Sequence, residues 1–351
     1  MEIMMHNSKT RLLSLFLTFV MLLGILPVSA MAAGPAVTLY VSSATANNDA
    51  PRAEGATYKT VTGAYEKAVS GDTIILSTDI AESSVLMDEK ELTIDFNGHV
   101  LTLSSTSYGM DVDGTAKLTL KDSSGNNSGG MKVKSTSVEC ILLEGAATVT
   151  IESGSYVSSY GYCVEAASLS TGQVIINGGS FAATSSCVYN DGDTARILLN
   201  GGTFSGNING ANSGVYLTPE VFDQVYKKNL LYNNIYFHFP SGSHTLTADL
   251  DLHDWQLRVL EGENTTIDLN GFNITGKGMR NAPSEGGTVI IGNINNLSCL
   301  IQVHPTGKLT FENTGACDGS HGRIHNDATP LIYIIKNYGD LTLGGNLRID
   351  A

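Results

Sequence analysis

The chain has 351 residues with 38 Gly, 8 Pro, 5 Cys and a single Trp, and 20 Lys+Arg stand against 34 Asp+Glu for a formal charge of −14. Only 15% of residues are charged, against roughly 25% in an ordinary soluble domain, and proline is scarce, which excludes a disordered polyampholyte and a Pro-rich linker. The acidic balance argues against nucleic acid or an anionic membrane as partner, because both select basic patches.

In chain order, Lys9 and Arg11 precede an apolar run from Leu12 to Leu26, then Pro27 and the small-residue string Val28-Ser29-Ala30-Met31-Ala32-Ala33. Residues 1–32 therefore read as a cleaved secretory signal, with the cut after Ala32 and Ala30 as runner-up. The run is shorter than the ~20 apolar residues of a membrane span. After its removal no membrane insertion is expected, and a secreted or cell-surface location follows.

A short helix is expected over 61–69, with Ala64, Tyr65 and Ala68 inward, closing the N-terminal end of the first segment. Beyond it the chain repeats. Ile151-Glu152-Ser153-Gly154-Ser155-Tyr156 superimposes on Ile176-Asn177-Gly178-Gly179-Ser180-Phe181 and on Leu199-Asn200-Gly201-Gly202-Thr203-Phe204, at steps of 25 and 23 residues. Cys140, Cys163 and Cys187 keep the same beat at 23 and 24. Short β-branched strands separated by Asn-Gly and Gly-Gly corners, with a period near 24, suit the coils of a parallel β-solenoid. Like residues then stack on like. Tyr156, Phe181 and Phe204 should form an aromatic column, Cys140, Cys163 and Cys187 a column of buried thiols, and Asn97, Asn177, Asn200 and Asn270 amide ladders.

At Thr218-Pro219-Glu220 the texture changes to an N-cap, an N1 proline and an acidic first turn, with Phe222, Val225 and Tyr226 at i, i+3 and i+4. A helix over 219–228 should cover a join. After it the first segment returns: Thr93-Ile94-Asp95-Phe96-Asn97-Gly98 as Thr266-Ile267-Asp268-Leu269-Asn270-Gly271, and Lys117-Leu118-Thr119-Leu120 as Lys308-Leu309-Thr310-Phe311. The offsets of 173 and 191 residues place an insertion around Gly276 to Asn296. The organisation is thus 33–217 as the first segment, 218–240 as a helical join and 241–351 as the second. Its Leu347-Arg348-Ile349 still alternates like a strand, so further coils are expected beyond Ala351.

Tyr40-Val41-Ser42, Asn48-Asp49, Tyr58-Lys59-Thr60-Val61 with Ala64 and Ala68, and Gly71-Asp72-Thr73-Ile74 together resemble the N-terminal opening of secreted bacterial proteins with the pectin-lyase-like right-handed parallel β-helix. The resemblance covers most of 39–351. It implies an all-β fold, and either a polysaccharide lyase or hydrolase or the non-catalytic, adhesin-like branch; the fold does not choose between them.

A lyase of that kind would need a calcium cage of carboxylates and a nearby base. The alternating pairs Asp111/Asp113, Asp191/Asp193 and Asp249/Asp251 are the candidates, Asp191 and Asp193 with Arg196 nearby being the best, against the plainer reading of a polar turn. A polygalacturonase-like hydrolase would spread Asn-x-Asp, paired Asp, His-Gly and Arg-x-Lys over successive coils. The string 317–325 departs from this, because His321, Arg323 and His325 all sit in one loop without an Asp pair. As zinc ligands, His321 and His325 lack a third partner. Cys299 and Cys317 could bridge the inserted loop of the second segment. Exposed rings for glycan contact are sought among Trp255, Tyr108, Tyr160, Tyr162 and Tyr189.

The reading adopted is a non-catalytic β-helix module of a bacterial surface or secreted protein, contacting glycan or a host or cell-wall surface. No catalytic residue or cofactor is assigned, with calcium as the one cofactor kept open. The alternative is an enzyme acting on acidic polysaccharide, which would gather at least three carboxylate or basic side chains on one outer face across neighbouring coils. A non-catalytic module would spread them.

Overall fold

Strands of four or five residues with alternate apolar side chains can hide their inner face only by stacking on the next copy of themselves. This happens here. The computed structural model describes residues 34–134, 138–276, 299–315, 317, 321–326 and 333–350, and it is a parallel β-helix. Residues 1–33, the heart of the insertion and Asp318 to Ser320 lie outside the described residues.

A typical coil lays down three strands, and equivalent strands pair in parallel into three faces. In one coil these are Lys117–Lys121, Gly130–Val133 and Ile141–Leu143. The first face is a continuous sheet of 13 strands through both segments. In the first segment, faces two and three are arms of an 11-stranded sheet path joined through the long strand Ser180–Asn190. In the second segment they are two separate four-stranded sheets, beginning at Gly242–Thr245 and Leu250–Asp251.

The stacked columns are those the 24-residue beat predicts. Tyr156, Phe181 and Phe204 stand in register on successive coils, fully buried, with ring centroids 5.0 and 5.1 Å apart and nearly parallel planes. Cys140, Cys163 and Cys187 are buried and free. Burial pushes the Cys163 thiol up, and Cys187 is raised first by its hydrogen bond with Cys163 and then by burial.

The asparagine expectation needs correction. Asn200 Nδ2 donates to Asn177 Oδ1 at 3.0 Å, and Asn177 Nδ2 to Glu152 Oε1 at 3.0 Å, so one ladder forms with a glutamate as its lowest rung. Asn97 and Asn270 stand outside it. They adopt left-handed backbone, φ 47° and 49°, and their amides bond the Leu76 and Leu246 carbonyls of the preceding coil. In the Asn-Gly-Gly corners it is the second glycine that turns left-handed, at φ 98° in Gly179 and 99° in Gly202, so the asparagine stays in line with its neighbours.

Two helices lie against strand edges. Helix α1, Val61–Lys67, is capped by Thr60, whose hydroxyl accepts the Gly63 amide at 3.0 Å. The Glu82 carboxylate receives the amides of Val61 and Thr62 at its N-terminus, where an anion suits the helix dipole. Ala64 and Ala68 are buried as expected, while Tyr65 is half-buried and its hydroxyl serves both backbone groups of Asp88. Helix α2, Pro219–Tyr226, buries Phe222 and Val225 and leaves Tyr226 exposed. Thr218 takes the N-cap position without capping, because its hydroxyl bonds the Asn200 carbonyl instead.

The two segments do not repeat in phase. Glu91–Asp95 and Lys117–Lys121 belong to the first face, whereas their sequence counterparts Asn264–Asp268 and Lys308–Glu312 belong to the second. An additional first-face strand at the join, Ile235–Phe237, moves every later strand one face onward. The first face therefore continues into Gln256–Val259, the counterpart of a third-face strand of the first segment.

Candidate functional site

The outer side of the third face carries the most unusual chemistry in the first segment. Its register runs Leu86, Asp111, Leu142, Glu165, Tyr189, Asn209, Tyr232 over successive coils. Around this line lie Asp88, Asp113, Glu139, Glu144 and Asp191, each close enough to raise the proton affinity of Asp111 or Glu165.

Burial is the main cause of those shifts and like charge the second. Asp111 is pushed up to about 7 by burial, then by Glu144, Asp113, Glu139 and Asp88. Glu165 is likewise pushed up to about 7 by burial, then by Glu139 and Asp191. Glu139 is raised by burial and by Glu144. Asp111 and Glu139 are only 8% and 6% exposed, and each has one carboxyl oxygen without a hydrogen-bond partner. Among the described residues no lysine or arginine pairs with any of these three. A carboxyl held protonated near neutrality can donate as well as accept, unlike an ordinary surface carboxylate.

Beside them, Tyr162 and Tyr189 stack with centroids 4.5 Å apart and planes 5° from parallel, both half-buried. Tyr160, in the same coil as Tyr162, is 60% exposed. The site is an aromatic platform edged with acids.

Of the metal candidates, Asp191 takes the Asn212 amide on Oδ1 at 2.6 Å, and the backbone carbonyl of Asp193 accepts from Ser213. Arg196 turns away to Glu261 at 3.4 Å. Among the described residues no group of three or more His, Cys, Asp or Glu side chains converges to hold a metal ion. Asp111 and Asp113 enter the acidic site, but Asp113 bonds the Gly114 amide. Asp249 holds the Asn273 backbone and side-chain amides, and Asp251 holds His253 at 3.0 Å.

In the 317–325 string, Arg323 is tied to Asp350 at 2.7 Å, and His325 is a strand residue in register with Thr275 and Asp350. Cys317 is a free thiol; the side chain of Cys299, the partner that the sequence allowed it, lies outside the described residues. Trp255 is half-buried beneath the join, edge-on to Phe222 at 5.1 Å and Tyr226 at 5.5 Å. Tyr108 packs against the core.

Sequence reasoning thus reached Tyr162, Tyr189, Asp111 and Asp191 separately and missed Glu139 and Glu165. The signal was the strand register: aligning Ile141–Leu143 with Val164–Ala166 by their cysteines puts Glu165 beside Leu142 and two coils from Asp111.

Neither protein-family models, nor curated proteins, nor solved structures show a match to this chain.

Proposed function

We propose that this chain is an exported, non-catalytic module of a bacterial surface or secreted protein, built on a right-handed β-helix of the pectin-lyase-like kind, and that it contacts glycan through the acid-edged tyrosine platform of its third face. The stacked Tyr162–Tyr189 pair carries this reading. The stacked pair offers apolar ring surface to the C–H face of a sugar, and Glu165, half-exposed and holding its proton near neutrality, offers both donor and acceptor to its hydroxyls. A formal charge of −14 makes a neutral or amino-bearing glycan a better partner than an acidic one.

The enzyme alternative has one observation in its favour: Asp111, Glu139 and Glu165 come from three neighbouring coils and gather on one outer face. Two of the three, however, are more than nine-tenths buried. A glycoside hydrolase needs both carboxyls flanking the scissile bond, and of these three only Glu165 is half-exposed.

The test is a glycan array with the purified chain, repeated with Tyr162→Ala and Tyr189→Ala, alongside reducing-sugar and unsaturated-uronate assays. Binding should fall about tenfold or more in either variant, corresponding to ~1.4 kcal/mol, with no turnover. Binding indifferent to both tyrosines would refute the platform. Depolymerisation abolished by Glu165→Gln would establish the enzyme.

A further inference from the structure

The join between the segments leaves two strand edges facing outward, and they are treated differently. The last second-face strand of the first segment, within Thr203–Asn209, is closed by α2 and the residues just after it. Gln224 Oε1 accepts the Phe204 amide at 3.3 Å, its Nε2 donates to the Gly202 carbonyl at 3.2 Å, and Lys228 Nζ donates to the Phe204 carbonyl at 3.2 Å. The glutamine side chain stands in for the strand that the helix replaces.

Among the described residues the opposite edge has no such cover. Gly242–Thr245 pairs on one side with Asn264–Asp268 and on the other with nothing among the described residues. The Leu246 amide bonds Asp268 at 2.9 Å, which turns the even-numbered residues toward that neighbour. By strand alternation the N–H and C=O of Ser243 and Thr245 point the other way. Both residues are exposed.

Thr245 lines a cleft of about 550 Å³ between this edge and the N-terminal half of α2, a size within the ~300–1,000 Å³ of ligand pockets. Four carboxylates line it, Glu220 and Asp223 from the helix and Asp249 and Asp251 from the second segment, and no lysine or arginine does. Asn200, the last rung of the amide ladder, also lines it, and its Oδ1 is buried without a partner.

We infer that this cleft is a docking site for an extended, lysine- or arginine-bearing peptide that adds a strand to the Gly242–Thr245 edge. A free edge presents N–H and C=O groups at strand spacing, which a peptide backbone matches and a sugar does not. Carboxylates on both walls select cationic side chains, and the Asn200 oxygen awaits an N–H donor. The inference does not rest on the glycan platform, which lies on another face and in earlier coils.

The test uses the purified chain with three short labelled peptides: alternating Lys and Thr, the same sequence N-methylated at alternate amides, and alternating Glu and Thr. Chito-oligosaccharide serves as the competing ligand class. The lysine peptide should bind, slow amide exchange at Ser243 and Thr245, and bind about tenfold or more weakly when N-methylated, when acidic, or when Glu220→Gln and Asp223→Asn are combined. These two helix positions are on the surface, so the circular dichroism spectrum should be unchanged.

Equal binding of the N-methylated peptide would overturn strand addition. So would unchanged exchange at Ser243 and Thr245 with every peptide. Slowing of these amides by oligosaccharide alone would make the cleft a sugar site, and slowing that tracks protein concentration without peptide would make it an interface between two copies.

Discussion

Asp111 stands at an outward register position, yet it is only 8% exposed and has a carboxyl oxygen without a partner. It and Glu165 keep their protons up to about 7 in the folded chain, whereas in the unfolded chain both return to about 4. Between those limits the native state binds more protons than the unfolded one, so stability falls as pH rises. The contribution is complete below the unfolded value and is lost as pH climbs through the folded one. Asp72, Asp122 and Asp268 act in the opposite sense. Burial alone would raise them, but hydrogen bonds outweigh it: Arg52, Val69 and Val37 on Asp72, Ser124, Gly129 and Gly98 on Asp122, and Thr314 and Asn270 on Asp268. Their contribution is lost only as pH falls below the ordinary carboxylate range. The melting temperature should therefore peak near about pH 5 and decline toward about pH 8, and Asp111→Asn with Glu165→Gln should flatten the decline. A wild-type melting temperature that holds level or rises over that interval would contradict the assignment. At this scale the sequence showed the inward columns well, since Tyr156, Phe181 and Phe204 repeat at the coil period. It concealed the outer site because Glu139 lies outside any strand and Glu165 neighbours a leucine, so no motif joins them.

At the scale of elements, α2 was readable from Thr-Pro-Glu and its apolar spacing, but its task was not. Helical propensity says nothing about Gln224, which completes the ladder of a strand some twenty residues earlier. Phe204 is 1% exposed, so removing that side chain strands a buried amide. Gln224→Ala should cost about 1–3 kcal/mol in chemical denaturation, while Gln224→Glu, which keeps the acceptor for Phe204, should cost less. Equal stability of wild type and Gln224→Ala would show that the edge needs no cap. The asparagine ladder failed to extend for a related reason. A ladder requires the same corner on every coil, and Asn97 and Asn270 sit in a different turn, in left-handed backbone, from that of Asn177 and Asn200.

For the whole molecule, duplication was plain in the sequence and its geometry was not. Equal motifs at offsets of 173 and 191 residues suggest equal places in the coil, yet the extra first-face strand Ile235–Phe237 turns the second segment by one face. Nothing in a three-residue apolar string announces that it will be an additional strand. The consequence reaches the proposed function. The counterparts of the acidic third-face strands become first-face strands, and Arg258, Gln302 and Lys336 share their outer column where the first segment has Leu86, Asp111 and Leu142. Arg258 lies over the Tyr236 ring at 3.5 Å and bonds Gln256 at 2.8 Å. Among the described residues the acid-edged platform is therefore confined to the first segment, ending at the join.

That turn of one face can be tested by cross-linking in a Cys317→Ser background. Neighbouring strands place paired residues about 4.8 Å apart, within the roughly 4.4–6.8 Å that a disulfide spans. Tyr236 is in register with Gln256, and Thr266 pairs instead with Ser243 and Thr310 on the second face. Mild oxidation should link Tyr236→Cys to Gln256→Cys; failure of this pair to link, under conditions that do link Ser243→Cys to Thr266→Cys, would take Gln256–Val259 off the first face and contradict the turn of one face.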